Sequence, residues 1–509
     1  MKSFRIIGCM LLSLVVLTIQ AQRIGCVYSG NGSATRDKLL YTLPEPYDFD
    51  PQVTYRQPVV LISFSDFDFS MDNPRDHYHH LFNEKGFNNG YGLGCVADYF
   101  RDQSGGRLNL QFDIYGPVKV EESAGGHDNH SSGYGALMSA FKLLRETETT
   151  DFSIYDWDGD GGVNQVIFVT AGYSGHQKKG YIWPNTGVSL YGELPGGVYP
   201  DYVSVSAELW KDGSLCGIGI IAHEFCHCLG LPDIYPVAPA RLFSVVDEWD
   251  LMDGGDYTNK GWCPPNMSAM EKMYLKWDTP EELTEPATIT GMKPVSAGGK
   301  TYIVRSSGNP DEFYLLENRQ QDGWDYGCPG NGLLIFHVDY SMPQWRDNLV
   351  NNSDLYYRYD LFHADGKVYR DWDPANVGTD PNKYTMPDCM RSRYLSTLPY
   401  PFTDPETEAA NNSLTDTSSP AATLFNPAAD GRRFMGKSVT NIQMAADGTI
   451  SFDFMTDPTS VAPIRYATPG EDVPVAYYDH SGRCLPSVPS RPGIYIVRYA
   501  DGTTRKAIK

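Results

Sequence analysis

The stretch Ile221-Ala-His-Glu-Phe-Cys-His-Cys-Leu-Gly-Leu-Pro-Asp233 carries the strongest indication of both fold and chemistry in this chain. His223 and His227 are four residues apart, so on a helix they lie on one face and can bind the same metal ion. Neutral imidazoles in this arrangement suit zinc. Glu224 follows the first histidine, where it can take a proton from a metal-activated water without binding the metal. The pattern therefore predicts a catalytic zinc helix.

The residues that follow this helix predict a third ligand. Gly230 allows the chain to leave the helix in a left-handed conformation, and Pro232 prevents the helix from resuming. The resulting turn brings Asp233 back to the metal and leaves a fourth position for water. Nearby acidic residues are alternatives for the same role, namely Asp247, Glu248, Asp250 and Asp253.

A second motif lies downstream, at residues 249–255. There Met252 stands just before a glycine turn, which is the position that the metzincin pattern gives to a Met-turn beneath the zinc. Tyr257 follows it and is a candidate to hydrogen-bond the oxyanion of a peptide substrate. Cys226 and Cys228 flank the second histidine, but on a helix both point away from the zinc face, so we interpret them as small buried residues behind it.

Together these motifs resemble the immune inhibitor A family of secreted metallopeptidases. The resemblance implies a zinc-dependent endopeptidase acting on proteins or peptides, in which His223, His227 and Asp233 bind zinc and Glu224 is the general base. It extends over roughly residues 58 to 365 and includes segments 59–66, 96–108, 155–164, 182–184, 314–320 and 332–339.

The N-terminus predicts secretion. Lys2 and Arg5 precede an apolar run at residues 6–19, which ends at a small residue, Ala21. This is the pattern of a signal peptide spanning residues 1–21. No later stretch is long and apolar enough to cross a membrane, so we expect a protein that is secreted or held at the cell surface.

Residues 22–57 contain Gly, Ser, Asn and Pro without periodic apolar spacing. Such a composition predicts an extended leader or a short pro-segment lying across a surface. Cys26 or Asp37 could occupy the fourth zinc position and silence the enzyme. The alternative is a disordered linker, in which Cys26 could be half of a disulfide.

Composition narrows the class of protein. A net charge of −22 and a pI near 4.8 argue against nucleic acid as a partner and against electrostatic binding to anionic lipid. The chain has 10 cysteines, and an odd number remains once Cys9 leaves with the signal peptide, so at least one thiol should be unpaired. A length of 509 residues predicts two to four domains.

The order of apolar segments predicts the fold class. Residues 58–280 should form an α/β metzincin-like catalytic domain, in which a twisted and mostly parallel sheet packs on long helices and the zinc helix forms the floor of the cleft. Residues 281–457 should form a β-rich accessory domain, where His337 and His363 are hydrogen-bonded core or rim residues. In the first domain we expect strands near 59–64, 108–113, 118–120, 165–170 and 202–207, and helices near 95–103, 134–145 and 266–276.

An acidic loop between a helix and a strand resembles half of a calcium site. Asp156, Asp158, Asp160 and Asn164 occupy ligand positions of a calcium loop. Ile167 stands where the closing glutamate would be, so a calcium ion must complete its ligand shell from elsewhere in the fold. The alternative is an acidic turn whose carboxylates are only solvated.

Residues 462–509 predict a small C-terminal β-module. Its Ser-Gly-Arg turn at 481–483, the strand at 492–497 and the basic last strand resemble the C-terminal sorting domain of type IX secretion. This resemblance implies export across an outer membrane and contact with the secretion machinery.

Two other functions compete with an endopeptidase. A catalytically silent surface adhesin would use the same fold for binding, but it has no need of an intact zinc motif with an open position. A zinc amidase acting on cell-wall or mucin peptides shares the chemistry and differs only in its cleft, so the motifs do not separate it from an endopeptidase.

Overall fold

The structure is a computed structural model, which describes residues 43–128, 130–188, 190–237, 244, 246–353, 357–367, 395–456, 474–478, 484–485, 494–499 and 504–508. The expected signal peptide at 1–21 and the candidate blockers Cys26 and Asp37 lie outside these residues. Most of the linker before the C-terminal module lies outside them as well.

The described residues form short helices and many strands. The helices are α1 Pro74–Asn83, α2 Val96–Gln103, α3 Tyr134–Thr147, α4 Gly219–Cys228, α5 Ala269–Tyr274 and α6 Met342–Arg346. The strands are β1 Thr54–Ser63, β2 Asn109–Lys119, β3 Gly162–Val163, β4 Val166–Tyr173, β5 Asn185–Thr186, β6 Tyr199–Pro200, β7 Val203–Leu209, β8 Glu281–Glu282, β9 Ala287–Met292, β10 Tyr302–Arg305, β11 Glu312–Arg319, β12 Gly332–Asp339, β13 Tyr359–Leu361, β14 Phe402–Thr403, β15 Ala410–Asn411, β16 Val439–Met444, β17 Ile450–Phe454, β18 Pro474–Tyr478, β19 Cys484–Leu485, β20 Ile494–Tyr499 and β21 Thr504–Ile508.

The first sheet is mostly parallel, with the order β2-β1-β4-β7-β5. Strands β2, β1, β4 and β7 run parallel, and the short edge strand β5 pairs antiparallel with β7. Strand β1 carries the uninterrupted apolar run Val59–Ile62, whose side chains are all fully buried. A strand inside a parallel sheet is covered on both faces, which explains this continuous pattern. The expected α/β arrangement is therefore present, although the helices are short rather than long.

The first sheet and the helices packed on it, here called the first unit, begin before the expected boundary at residue 58. Leu43 and Phe49 are buried, and the ring of Phe49 packs on Tyr55 and Trp157. Strand β1 begins at Thr54, four residues before the expected boundary at 58. Residues 43–57 thus pack as part of the first unit, because their aromatic side chains extend its core, whereas composition alone predicted a surface leader.

Helix α5 is shorter than the expected helix at 266–276. Ser268 caps its N-terminus by accepting a hydrogen bond from the backbone N–H of Glu271, and the Glu271 carboxylate accepts one from the Ser268 N–H. This reciprocal capping box makes Ala269 the first helical residue. The preceding Asn266 instead donates its backbone N–H to Asp325.

Downstream, the β-rich prediction agrees with the fold. A second sheet has the order β13-β12-β11-β10-β8, and a third has the order β16-β17-β9. Alternate residues of the second sheet face two different hydrophobic cores, because side chains alternate across a strand. On β11, Phe313 and Leu315 join the core of the first unit, whereas Tyr314 and Leu316 join a second core shared with the third sheet.

The C-terminal module forms a four-stranded antiparallel sheet with the order β19-β18-β20-β21. This agrees with a small β-module at the end of the chain. Among the helices that the structure describes, none has the length and apolar character needed to cross a membrane.

Candidate metal centre

Helix α4 carries two of the candidate ligands, His223 and His227. It follows strand β7 and is buried along almost its whole length, including His223, Glu224 and His227. Gly230 then ends it with φ +97°, and the N–H groups of Gly230 and Leu231 donate to the carbonyls of His227 and Cys226. This is the Schellman pattern that terminates helices at a left-handed residue. The predicted left-handed exit at Gly230 is confirmed.

The exit turn brings the third residue to the two histidines. The Asp233 Oδ1 atom lies 3.2 Å from His223 Nε2 and 3.5 Å from His227 Nε2. One donor atom from each of the three residues lies within 4.8 Å of the others, and all three side chains are at least 97% buried. In the described part of the chain, Asp233 is the carboxylate that groups with both histidines. The acidic residues of the 247–253 segment do not join this group.

Those other acids have different partners. Asp250 accepts hydrogen bonds from the Met252 N–H and the Tyr359 hydroxyl. Asp253 accepts from Ser244 Oγ and from the Asp247 N–H. They therefore shape the segment beneath the site rather than the ligand set.

Backbone carbonyls fix the orientation of both imidazole rings. His223 Nδ1 donates to Leu251 O, and His227 Nδ1 donates to Leu231 O, each at 2.8 Å. A proton on Nδ1 leaves Nε2 as the nitrogen with a lone pair, and Nε2 is the atom that faces Asp233 in both rings. Two imidazole nitrogens and one carboxylate oxygen, each held by a second partner, fit a zinc ion.

The charges around the site favour a cation. Burial alone would lower the pKa of His223, but its hydrogen bond to Asp233 and the charges of Asp256 and Glu224 raise this pKa to about 10. Burial alone would raise the pKa of Asp233, but His227 and His223 hold it well below its ordinary value. The acidic groups near the two histidines therefore favour a positive charge at this point.

Strand β5 contacts Glu224, the candidate general base, through a threonine side chain. Thr186 Oγ1 lies 2.8 Å from Glu224 Oε2 and 2.9 Å from the Glu224 carbonyl oxygen. Burial raises the pKa of Glu224 to about 8, while the charge of His223 and the Thr186 hydroxyl act in the opposite direction. A carboxyl group with a pKa near neutrality can both accept and return a proton. Sequence reasoning missed Thr186, because its contact spans 38 residues.

Met252 belongs to a segment that hydrogen-bonds to the turn carrying Asp233. Its side chain is fully buried, and its carbonyl accepts a hydrogen bond from the Ile234 N–H, next to Asp233. Leu251, its neighbour, supplies the carbonyl that orients His223. The turn therefore supports two of the three candidate ligands through the backbone.

Tyr257 lies in an aromatic cluster next to helix α4. Its ring centroid is 5.1 Å from that of His176 and 6.0 Å from that of Trp210. Tyr257 and Trp210 also pack against Ile220 of α4, one turn before Glu224. Sequence reasoning missed His176 and Trp210, which follow the carboxyl ends of β4 and β7.

Cysteine and histidine residues outside the ligand set have structural roles, as expected. Cys226 is fully buried in the core behind the zinc face, and Cys228 is half-buried with its thiol toward the Glu224 carbonyl. Burial raises the pKa of both thiols well above the ordinary value. His337 Nε2 donates to Glu312 Oε1 at 2.8 Å, and its ring stacks on Phe425, whereas His363 is buried.

The acidic loop gathers three of its predicted residues. One carboxylate oxygen from each of Asp156, Asp158 and Asp160 lies within 4.8 Å of the others. Asn164 is turned to a different use, since its Oδ1 accepts the Trp157 N–H at 2.6 Å. Asp201, which directly follows strand β6, is a further carboxyl group near this loop that the sequence did not indicate. Burial and the charges of Asp160, Asp158 and Asp156 raise the pKa of Asp201 to about 6.

Comparisons with known proteins agree with this site. Residues 211–280 match the family model for the immune inhibitor A peptidase M6 catalytic domain. The chain is 25% identical over 291 residues to Immune inhibitor A from Bacillus thuringiensis subsp. alesti, which covers 48% of this chain and 40% of that protein. It is 23% identical over 247 residues to Pre-pro-metalloprotease PrtV from Vibrio cholerae serotype O1 (strain M66-2), covering 40% of this chain and 27% of the relative.

The chain thus spans less than half the length of these curated relatives. The family model covers α4, the Asp233 turn, Met252 and α5, and so includes the three candidate ligands. These matches support a metallopeptidase hydrolase related to the immune inhibitor A family.

Proposed function

We propose that this protein is a secreted zinc-dependent endopeptidase, in which His223, His227 and Asp233 bind zinc and Glu224 is the general base. The observation that carries the proposal is the convergence of two histidines and one aspartate around a common point, with a buried glutamate on the same helix. A silent adhesin would not require this arrangement, and the metallopeptidase matches do not favour that alternative.

Zinc held by these three residues would supply a Lewis acid that polarises the scissile carbonyl and makes a water molecule more acidic. Glu224 takes the proton from the attacking water and returns it to the leaving amine. Tyr257 donates a hydrogen bond to the oxyanion from the aromatic cluster beside Glu224.

The proposed substrates are proteins or peptides, and the proposed location is outside the cell, on the basis of the signal-peptide pattern at 1–21. The C-terminal module at 462–509 would engage a secretion machinery as a sorting domain. Asp156, Asp158 and Asp160 would bind calcium, and Asp201 would be the ligand contributed from elsewhere in the fold. This ion would stabilise the loop and take no part in the chemistry.

Hydrolysis of a mixed peptide library by the purified protein tests the proposal. We expect cleavage that a zinc chelator abolishes and added zinc restores. The Glu224→Gln variant should retain zinc and lose activity by about 10²- to 10⁴-fold, because the amide cannot accept the proton. Normal cleavage by that variant would contradict the assignment of the base, and zinc-loaded wild-type protein that cleaves no member of the library would contradict an endopeptidase.

A further inference from the structure

A segment far along the chain holds the turn that carries Asp233. Helix α6 and the residues after it pack on this turn, and the Trp345 indole N–H donates to Gly230 O at 3.1 Å. Three asparagines, which we call the asparagine clamp, make further hydrogen bonds to the same turn. They are Asn348, Asn351 and Asn352, which bond to Asp233, to Ile234 O and to the Val237 N–H, respectively.

Asn348 contacts the candidate ligand itself through both ends of its amide. Its Oδ1 accepts the Asp233 backbone N–H at 2.6 Å, and its Nδ2 donates to Asp233 Oδ2 at 2.7 Å. The other carboxylate oxygen, Oδ1, is the one that faces His223 and His227. The amide therefore satisfies the carboxylate oxygen that points away from the histidines and leaves one oxygen for the metal.

The backbone conformation of Asn348 makes this contact possible. Asn348 has φ +57° and is the residue that terminates helix α6. Its N–H donates to Trp345 O and the Leu349 N–H donates to Gln344 O, which is again a Schellman pattern. Glycine fits this left-handed position best and asparagine tolerates it. Glycine would end the helix equally well without any side chain. The helix end therefore does not explain why an asparagine stands here, 93% buried against Asp233.

From this geometry we propose that Asn348 is a positioning residue of the metal centre, which holds Asp233 as a ligand through one oxygen and thereby sets the affinity for zinc. The inference rests on the proposed zinc site and extends it to a residue outside the segment that matches the peptidase family. Partners that orient a metal ligand in this way typically change metal affinity by about 10- to 100-fold when they are removed.

The test is the zinc dissociation constant of the full-length protein, measured by competition with a chromophoric chelator. Asn348→Gly keeps the left-handed helix end and removes the amide, so we expect zinc to bind about 10- to 100-fold more weakly. Asn348→Asp keeps an oxygen for the Asp233 N–H and loses the donor to Oδ2, so it should weaken zinc binding as well. The second variant carries the test if the first does not fold.

Asn441→Gly is the matched control. Asn441 also has a left-handed backbone, with φ +52°, and its amide also donates to an aspartate, Asp453, but it lies on the exposed strand β16. The Asn441→Gly variant should bind zinc with the same affinity as the wild type. The thermal midpoint of each metal-free variant, measured in parallel, separates loss of the ligand contact from loss of fold.

The inference is wrong if a folded Asn348 variant binds zinc within about threefold of the control, since removing such a partner typically has a larger effect. The proposed function would then remain intact. Wild-type protein that binds no zinc would overturn both. Weakened zinc binding with unchanged metal-free stability would support the positioning role.

Discussion

The contact between Thr186 and Glu224 gives a sharp prediction about catalysis. Thr186→Val replaces the hydroxyl with a methyl group of similar size and should not disturb strand β5, since valine is well suited to strands. The residue is only 2% exposed, so water cannot readily replace the lost donor. The variant therefore removes one hydrogen bond to Glu224 while keeping the surrounding packing.

The size of the effect follows from the geometry. Hydrogen bonds to charged groups contribute about 1.5–3 kcal/mol. The single proton of the Thr186 hydroxyl is shared between Glu224 Oε2 at 2.8 Å and the Glu224 carbonyl at 2.9 Å, so the low end applies. A loss of about 1.5 kcal/mol corresponds to about a tenfold decrease in kcat. Zinc content and KM should change little, because Thr186 contacts neither a candidate ligand nor the aromatic cluster.

The assay is steady-state hydrolysis of a quenched fluorescent peptide, with zinc content measured on the same samples. Thr186→Ser should recover most of the activity, because it retains the hydroxyl. Thr170→Val is the control, since Thr170 is also buried in a strand and donates to a backbone carbonyl, that of Ser206, away from Glu224. If Thr186→Val and Thr170→Val have the same kcat, Thr186 does not position the base.

Three further predictions concern metals and pH. Asp233→Ala should lose most of its zinc, as measured by metal analysis, and full occupancy would assign the third ligand to another acid. Calcium should raise the thermal midpoint of the wild type by a few degrees, and the Asp201→Asn variant should show a smaller rise. The same substitution should stabilise the calcium-free protein, because it removes the repulsion between Asp201 and Asp160. Equal responses of the two proteins to calcium would exclude Asp201 from the site. Burial and the charge of Asp250 raise the pKa of Glu271 well above its ordinary value. The folded protein therefore keeps a proton on Glu271 that the unfolded chain releases above about pH 4.3. The free energy of unfolding should fall as the pH rises above that value. Glu271→Gln should flatten this fall in urea unfolding, and an unchanged pH profile would show that another group causes it.

Local patterns in the sequence predicted the part of the candidate site that lies on helix α4 and in the turn that follows it. The spacing of His223 and His227 follows from helix geometry, and the left-handed exit at Gly230 follows from the absence of a Cβ atom. A Cβ at Gly230 would collide with the carbonyl of Pro44, so a tertiary contact adds to the local requirement. The histidine spacing and the glycine are both visible within a few residues of sequence, whereas the contact with Pro44 is not.

The supporting residues could not be predicted in the same way. Thr186 and Asn348 lie 38 and 115 residues from the groups they contact. Threonine in a strand and asparagine after a helix are common for local reasons, so neither is recognisable as part of a site without the tertiary fold. The burial of Phe49 could not be predicted for a similar reason, because its ring contacts residues such as Trp157, which is distant in the sequence.

The position of the second sheet between two cores has a consequence for cooperativity. Leu334 and Phe336 of β12 face the core of the first unit, while Leu333 and Ile335 face the core shared with the third sheet. Melting either unit would bare one face of this strand, and each large apolar side chain so uncovered costs about 1.5–3 kcal/mol. The two units should therefore unfold together in one calorimetric transition, and the peptidase region should not survive as an isolated fragment ending at residue 280.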